Sequence, residues 1–245
     1  MIILGIETST LRVGAALGGA EGVLAEFQAT RDRRHAEALA PAIEFICRQA
    51  RVEMGEISAV AVDIGPGLFT GLRVGVATAK AMAQALRVPM IGLSSLDLLA
   101  FTVRYSDRLV VPVIDARRGE VYCATYRQVP GGIQRLSPYR LSSPSDLAGE
   151  LMATGRDSLL VGDGALRYAE VFTADIGAEL GTVGTAYPSA GALVELAQPR
   201  AIREEFVPPS ELEVFYLRRS DAEINWDRRQ HPWSGEGPDD LGEAG

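Results

Sequence analysis

The apolar patterns along the chain occur in the same order twice, and this repeat limits the fold more than any other feature. The first half reads as three strands, a helix, a buried strand and a second helix; the strand segments are Ile2 to Thr8, Val13 to Leu17, Val23 to Ala29 and Ile57 to Ile64. The second half follows with Leu109 to Ile114, Val121 to Arg127, Ile133 to Leu141 and Leu159 to Val161. Helical patterns at Pro144 to Ala153, Leu166 to Phe172 and Ala190 to Ala197 complete it. The halves share negligible identity, so the repeat is one of element order.

A duplicated β-β-β-α-β-α unit is typical of the actin, Hsp70 and sugar kinase superfamily, in which a nucleotide lies in the cleft between the halves. The order therefore predicts an α/β, two-lobed actin-like fold. We expect an N-terminal lobe in residues 1–106 and a C-terminal lobe in 107–219, with a last helix able to pack on the first lobe. Residues 220–245 are polar with an acidic end, which predicts a disordered tail. Trp226 and Trp233 leave open a short docking motif there.

The charge balance argues against a nucleic-acid-binding protein that acts alone. The chain has 32 acidic and 24 basic residues, a formal net charge of −8, so its surface as a whole repels polyanions. The longest apolar runs are strand-sized, and the N-terminus lacks a basic region ahead of its apolar stretch. These patterns predict a cytoplasmic protein without membrane contact.

Cysteine and histidine usage predicts no metal site. Cys47 and Cys123 are isolated from each other in the sequence, and the two histidines are His35 and His231. We read both thiols as small buried hydrophobic side chains. No cofactor is required by this composition.

Three segments at the ends of predicted strands suggest nucleotide binding. A carboxylate followed by two hydroxyl residues ends the first strand, where backbone N–H groups and hydroxyls could face phosphates and the carboxylate could hold hydrated Mg²⁺. A matching loop ends the first strand of the second half, and a glycine pair follows the strand Leu159 to Val161, where glycine lets the backbone approach a flat base. The candidate residues are Glu7, Thr8, Ser9, Asp115, Arg117, Gly162 and Gly164.

Ordinary structure remains an alternative at each segment. Glu7 to Ser9 also fits a plain hairpin turn, and Arg117 with Arg118 could pair with a partner's carboxylates or stay solvated. Gly162 to Gly164 equally fits a strand-to-helix turn.

The segment Asp63 to Gly75 is the most unusual stretch of the chain. Its glycines permit a sharp turn from strand to helix, and Thr70 could cap that helix. Gly75, Ala79 and Ala83 then form a strip of small residues at four-residue spacing, which lets another helix come close. Packing within its own lobe is the alternative use of that strip.

This segment resembles the signature of the bacterial TsaB family, Gly-Pro-Gly-Ser-Phe-Thr-Gly-Leu-Arg-Val-Gly, with Leu68 in place of the serine. The matching residues include Gly65, Pro66, Gly67, Phe69, Thr70, Gly71 and Arg73. The opening Leu4 to Ser9 and the segment Phe215 to Arg218 also resemble the family. The resemblance covers residues 1 to about 219.

The resemblance implies a non-catalytic scaffold subunit of the machinery that transfers threonylcarbamoyl from threonylcarbamoyl-AMP to adenosine in tRNAs reading codons that begin with A. The implied partners are TsaD, the catalytic paralogue, and the ATPase TsaE; tRNA is met only through the complex. An isolated chain could form a homodimer, and ATP or ADP could bind near the partner interface. That interface is implied on the helices Ala36 to Arg51 and Thr70 to Leu86; the candidates are Leu39, Ile43, Ile46, Leu72, Gly75, Val76, Ala79 and Ala83.

The residues present disfavour other functions. TsaD binds metal through two histidines four residues apart on a helix, whereas this chain has His35 followed by Leu39. A small ATP-dependent phosphotransferase is the alternative, with Glu7 and Asp115 as its only obvious carboxylates. A peptidase is disfavoured because no Gly-x-Ser-x-Gly nucleophile turn is present.

Overall fold

The computed structural model describes residues 1–30, 35–176 and 178–218. The predicted tail at 220–245, with Trp226, Trp233 and His231, lies outside the described residues. No helix within the described ranges is long and apolar enough to cross a membrane.

The first half contains the predicted strands and helices in the predicted order. Its elements are β1 (Ile2–Glu7), β2 (Arg12–Gly19), β3 (Gly22–Thr30), α1 (His35–Ala50), β4 (Ile57–Gly65), α2 (Phe69–Leu86), β5 (Met90–Ser94) and α3 (Ser95–Thr102). Ser94 caps α3, since its hydroxyl accepts a hydrogen bond from the backbone N–H of Leu96.

The second half contains more, shorter strands than predicted. Its elements are β6 (Leu109–Arg117), β7 (Glu120–Cys123), β8 (Tyr126–Val129), β9 (Gly132–Arg135), β10 (Arg140–Ser142), α4 (Pro144–Thr154), β11 (Ser158–Val161), α5 (Asp163–Arg167), α6 (Ala169–Ile176), β12 (Glu179–Leu180) and α7 (Ala190–Ile202). The single strand predicted from Ile133 to Leu141 is wrong: β9 pairs with β8, whereas β10 pairs with β7, so the chain changes neighbours between them.

The two sheets repeat one strand order, which confirms the duplicated actin-like architecture. The first sheet runs β3-β2-β1-β4-β5 and the second runs β10-β7-β6-β11-β12, with β8 and β9 added off this path. In each sheet the central strand pairs antiparallel with the next strand of the hairpin and parallel with the strand after the helix. The duplication therefore lies in topology and not in residue identity.

Strand alternation divides the first lobe into two cores. Leu4 and Ile6 of β1 face α1 and α2, whereas Ile3 faces the opposite side of the sheet, as the two-residue period of a strand requires. Leu193 and Val194 of α7 fill that opposite side, so the last helix of the described chain packs on the first lobe.

Helix α3 joins the lobes. Its Leu98 packs among the residues beneath α7 in the first lobe, whereas Leu96 and Leu99 pack against β6 and β7 residues of the second. The other face of the second sheet is covered by α4 and α6, with Leu147 and Phe172 fully buried there.

Candidate functional site

Two carboxyl groups meet at the carboxyl ends of adjacent parallel strands. Ile6 of β1 is in register with Val62 of β4, so Glu7, the last residue of β1, lies beside Asp63, two residues before the end of β4. Both side chains are 0% exposed. Each accepts a hydrogen bond from a backbone N–H two residues later, at 2.7 Å to Glu7 Oε1 and 2.8 Å to Asp63 Oδ1.

A serine hydroxyl also donates a hydrogen bond to each acid of this pair. Ser9 Oγ donates to Glu7 Oε1 at 2.6 Å, and Ser95 Oγ donates to Asp63 Oδ1 at 2.7 Å. The second oxygens, Glu7 Oε2 and Asp63 Oδ2, are buried with no hydrogen-bond partner in the described part of the chain.

Burial favours the neutral form of both acids. Burial raises the pKa of Glu7 well above its ordinary range, and the nearby charge of Asp63 raises it further. Burial raises the pKa of Asp63 to about 6. Because two adjacent buried carboxylates repel each other, the folded protein favours a proton on this pair.

The first turn of α2 covers the loop that follows β1. Thr8 Oγ1 donates to the carbonyl of Gly71 at 2.8 Å, and the backbone N–H of Leu68 donates to the carbonyl of Ser9 at 2.6 Å. A Cβ added to Gly75 would lie 2.1 Å from Thr8 Oγ1, and one added to Gly67 would lie 2.2 Å from the Ser9 carbonyl oxygen. Only glycine permits this close approach.

The helix start differs from the prediction. Leu68 is the N-cap of α2 and Phe69 the first helical residue, so the expected capping role of Thr70 is wrong. The backbone bond from Leu68 to Ser9 anchors this end instead of a capping side chain.

The first candidate phosphate loop is therefore buried and hydrogen-bonded within the chain. Glu7, Thr8 and Ser9 are at most 1% exposed, and both hydroxyls donate within the chain. In this conformation none of the three side chains faces solvent. Nucleotide binding by them stays a prediction.

The second loop gathers arginines around one carboxylate. Asp115, whose side chain is 4% exposed, has its Oδ2 at 3.2 Å from Arg117 Nη1 and at 3.3 Å from Arg167 Nη1. The backbone N–H of Asp115 donates to Asp163 Oδ1 at 3.0 Å, and burial raises the pKa of Asp163 to about 6. Arg117 thus pairs within its own lobe, an outcome that the sequence did not suggest.

The glycine-rich turn after β11 supports β6. Gly162 has a φ of 108°, and a Cβ there would lie 2.2 Å from the carbonyl oxygen of Val113. A Cβ on Gly164 would lie 2.9 Å from the backbone nitrogen of Asp115. These close contacts explain why both positions are glycine without a bound base. Binding of a base at this turn stays a prediction.

The segment Phe215 to Arg218, which we call the strap, crosses from one lobe to the other. Its Phe215 N–H donates to the carbonyl of Ile64 at 2.8 Å, at the end of β4. Tyr216 stacks with Phe69 at 5.2 Å between ring centroids and accepts a hydrogen bond from Arg73 Nε at 3.2 Å. Arg218 donates to the carbonyl of Ala116 at 2.8 Å and to Glu120 in the second lobe.

Two hydroxyls of the second lobe converge on α3. Tyr126 donates to Asp97 Oδ1 at 2.7 Å and Tyr139 donates to Asp97 Oδ2 at 2.8 Å. Phe215 of the strap packs on Tyr139 with ring centroids 5.5 Å apart. The strap and this carboxylate together fix the lobes to each other.

The eight residues predicted to contact a partner lie inside the lobe, and their contact with a partner stays a prediction. All eight are buried, and six of them belong to one core with β1 and β4: Leu39, Ile43, Ile46, Val76, Ala79 and Ala83. Leu72 and Gly75 are buried as well. The apolar stripe of each helix packs on its own sheet, which was the alternative given for the small-residue strip.

The outer face of α2 is a different set of residues. Ala77, Ala81 and Ala85 are exposed, and Val74 and Thr78 are partly exposed beside them. On α1 the exposed residues include Pro41 and Phe45, the latter 42% exposed. We call these seven residues the outer helix face.

Several residues of the site had weak signals in the sequence. Asp63 is a carboxylate in a buried strand run, two residues before a Gly-Pro-Gly turn, and it lacks the following hydroxyl residues that marked Glu7. Asp97 lies in a short helix without a motif and carried no signal. No group of three or more His, Cys, Asp and Glu side chains within the described ranges is arranged to hold a metal ion.

Comparison with known proteins agrees with this architecture. The family model described as TsaD, tRNA N6-adenosine threonylcarbamoyltransferase, matches residues 22–226. The chain is 31% identical over 231 residues to the tRNA threonylcarbamoyladenosine biosynthesis protein TsaB of Bacillus subtilis, covering 92% of this chain and 98% of that protein. The solved structure of YeaZ from Pseudomonas aeruginosa is 27% identical with a TM-score of 0.77, covering 88% of this chain and 99% of that one.

A more distant structure shares the fold alone. Component A of the (R)-2-hydroxyglutaryl-CoA dehydratase of Acidaminococcus fermentans is 9% identical, with a TM-score of 0.50, and covers 82% of this chain and 99% of that one. The duplicated sheets and the loops between the lobes define a two-lobed protein of the actin-like superfamily. Within that superfamily, the chain belongs to the TsaB family.

Proposed function

We propose that this chain is a cytoplasmic, non-catalytic subunit in the synthesis of threonylcarbamoyladenosine in tRNA. In this account it binds a TsaD-type transferase and keeps it in a competent geometry, while a TsaE-type ATPase acts on the assembly. The names of the relatives supply the pathway, and the described geometry supplies the reasons for a supporting role.

The observation that carries the proposal is the outer helix face. Between Val74 and Ala85 the exposed and partly exposed side chains of α2 are small or uncharged apart from Lys80. A long helix whose inner side is buried has no internal need for such a surface, because solvated helix faces normally carry charges. Small side chains let a partner helix approach closely. The face therefore fits a helix from a partner protein.

The buried carboxyl pair supports a role without phosphoryl transfer. A phosphotransferase needs a carboxylate that reaches the γ-phosphate or its metal. Glu7 is 0% exposed and lies beneath the first turn of α2, so this conformation offers it no such contact. The strap joins the end of β4 to the end of β6 through the hydrogen bonds of Phe215 and Arg218. Hydrolysis of ATP by the chain alone would favour the phosphotransferase.

A reconstitution with one component left out tests the proposal. A TsaD-type transferase, a TsaE-type ATPase, unmodified tRNA and threonylcarbamoyl-AMP are mixed with and without this chain, and modified adenosine is counted by mass spectrometry. The proposal predicts modification only when the chain is present. Equal modification without the chain would remove the subunit role for that pairing.

A further inference from the structure

Two basic side chains lie on one side of α2, and we call them the basic flank. Arg73 and Lys80 are seven residues apart, close to two helical turns, so their side chains leave the helix within about 20° of each other and about 10 Å apart along its axis. Arg73 is exposed and Lys80 is partly exposed. The exposed Ala77 and Ala81 lie next to them around the helix. The basic flank therefore borders the outer helix face.

No negative charge of α2 balances this flank. Between Asp63 and Asp97 the sequence has no acidic residue, although the chain as a whole has 32 acidic and 24 basic residues. Within the described ranges, neither Arg73 nor Lys80 forms an ion pair. The flank is thus a positive surface on a chain with a formal net charge of −8, and carboxylates on a partner complement it.

Arg73 is held in place within the chain. Its guanidinium carbon lies 3.7 Å from the ring centroid of Phe69, and its Nε donates to the hydroxyl of Tyr216 at 3.2 Å. Its two terminal NH₂ groups donate to no residue in the part of the chain that the structure describes. Such groups can bind both oxygens of one carboxylate side by side. A guanidinium already fixed by a ring and a hydroxyl loses little side-chain freedom when it forms that pair.

We propose that the helix of the partner that docks on α2 carries two carboxylates, also seven residues apart, which pair with Arg73 and Lys80. This inference rests on the proposed function, which brings a TsaD-type protein to the outer helix face. Two helices that pack at a small crossing angle keep equal spacings in register, so acids at this spacing meet both bases at once. A phosphate ligand fits this place less well, because the neighbouring Ala77 and Ala81 offer it no side-chain donor.

A cross-link at one residue tests the contact, because Lys80 is the only lysine of the chain. The complex with a TsaD-type protein is treated with a water-soluble carbodiimide, which joins an amine to a carboxylate in contact with it. Mass spectrometry is expected to identify an amide between Lys80 and an Asp or Glu of a partner helix. Lys80→Arg keeps the charge but lacks the amine, so it is expected to bind as the wild type does and to lose this cross-link.

The affinity for the TsaD-type protein, measured at several salt concentrations, tests both charges together. Arg73→Gln with Lys80→Gln is expected to bind about tenfold more weakly at low ionic strength, and salt is expected to reduce this difference from the wild type. Arg127→Gln with Arg156→Gln removes two exposed charges from the second lobe and is expected to bind as the wild type does. If Arg73→Gln lowers the unfolding midpoint, Lys80→Gln alone is expected to bind about threefold more weakly.

The outcomes separate this inference from the proposed function. Wild-type affinity in the folded double variant at every salt concentration, or a wild-type complex without a cross-link at Lys80, would overturn the inference and leave the proposed function standing. A wild-type chain that does not bind the TsaD-type protein would overturn the proposed function, and the inference with it. Weaker binding of ATP or tRNA by the double variant, with unchanged pairing, would assign the basic flank to a phosphate ligand and would also overturn the inference.

Discussion

Glu7 and Asp63 lie side by side near the carboxyl ends of neighbouring parallel strands, and their buried carboxyl groups interact. The pair lies beneath the first turn of α2, where the serines and backbone amides around it satisfy only one oxygen of each acid. The second oxygen of each acid is buried without a hydrogen-bond partner among the described residues, and burial raises the pKa of both acids, so the folded structure favours a proton here.

This pair makes stability depend on pH. The pKa values of both acids are raised, Asp63 to about 6, so the native state keeps a proton that the unfolded chain releases above about pH 4. The contribution of this pair to the free energy of unfolding is therefore highest below pH 4 and is lost as the pH rises through 6. Denaturant titrations at pH 5 and 8 are expected to differ by roughly 2 kcal/mol from this pair.

Glu7→Gln reduces that dependence, because an amide has no proton to lose and can donate to Asp63. Glu211→Gln, at an exposed position, is the control and keeps the wild-type difference between the two pH values. An equal pH dependence in wild type and Glu7→Gln would show that the pair does not share a proton.

Gly75→Ala tests the contact between α2 and the first loop. Alanine favours a helix by about 1 kcal/mol over glycine, but its Cβ would lie 2.1 Å from Thr8 Oγ1, so we expect a net loss of about 2 kcal/mol. Gly149→Ala in α4 meets no atom within 4 Å and is expected to stabilise the protein. Chemical denaturation measures both.

Thr8→Ala combined with Gly75→Ala provides the second check on this contact. Removal of the hydroxyl makes room for the new Cβ, so the two changes are expected to cost less together than the sum of their separate effects. Additive effects would place the cost of Gly75→Ala elsewhere.

The strap is expected to stabilise the junction of the lobes. Arg218→Ala removes the hydrogen bonds to Ala116 and Glu120 from a side chain that is 17% exposed, at a cost of roughly 2 kcal/mol. Arg218→Lys is expected to keep only part of the stability that Arg218→Ala loses, since an ammonium lacks the fork that reaches both acceptors. Arg203→Ala breaks an exposed pair with Glu205 and should leave the unfolding midpoint unchanged. Equal midpoints for Arg218→Ala and wild type would contradict the structural role of the strap.

The sequence predicted the first lobe well because its strands are continuous apolar runs bounded by turns. It failed at Ile133 to Leu141, where β9 and β10 pair with different strands, since pairing depends on distant residues. It also placed a cap at Thr70, whereas a backbone bond between Leu68 and Ser9 anchors α2. Contacts between residues that are far apart in the sequence leave no local sequence pattern from which they could be predicted.

The burial of the eight predicted interface residues has a related reason. Apolar periodicity locates the side of a helix that is buried, and on α1 and α2 that side belongs to the lobe's own core. The side that we propose for a partner carries the exposed, uncharged Ala77, Ala81 and Ala85, which only the structure separates from the inner strip. Ala79→Arg and Ile43→Glu would therefore report on folding, because both positions are at most 2% exposed.

The most direct test of the proposed function is the affinity of the chain for a TsaD-type protein, measured by titration calorimetry. Ala77→Arg and Ala81→Arg place a long charged side chain on the outer helix face, and Ala153→Arg places one on an exposed position of α4. The account predicts that both α2 variants keep the wild-type unfolding midpoint and bind at least tenfold more weakly, whereas Ala153→Arg binds normally. Wild-type affinity in both α2 variants would contradict it.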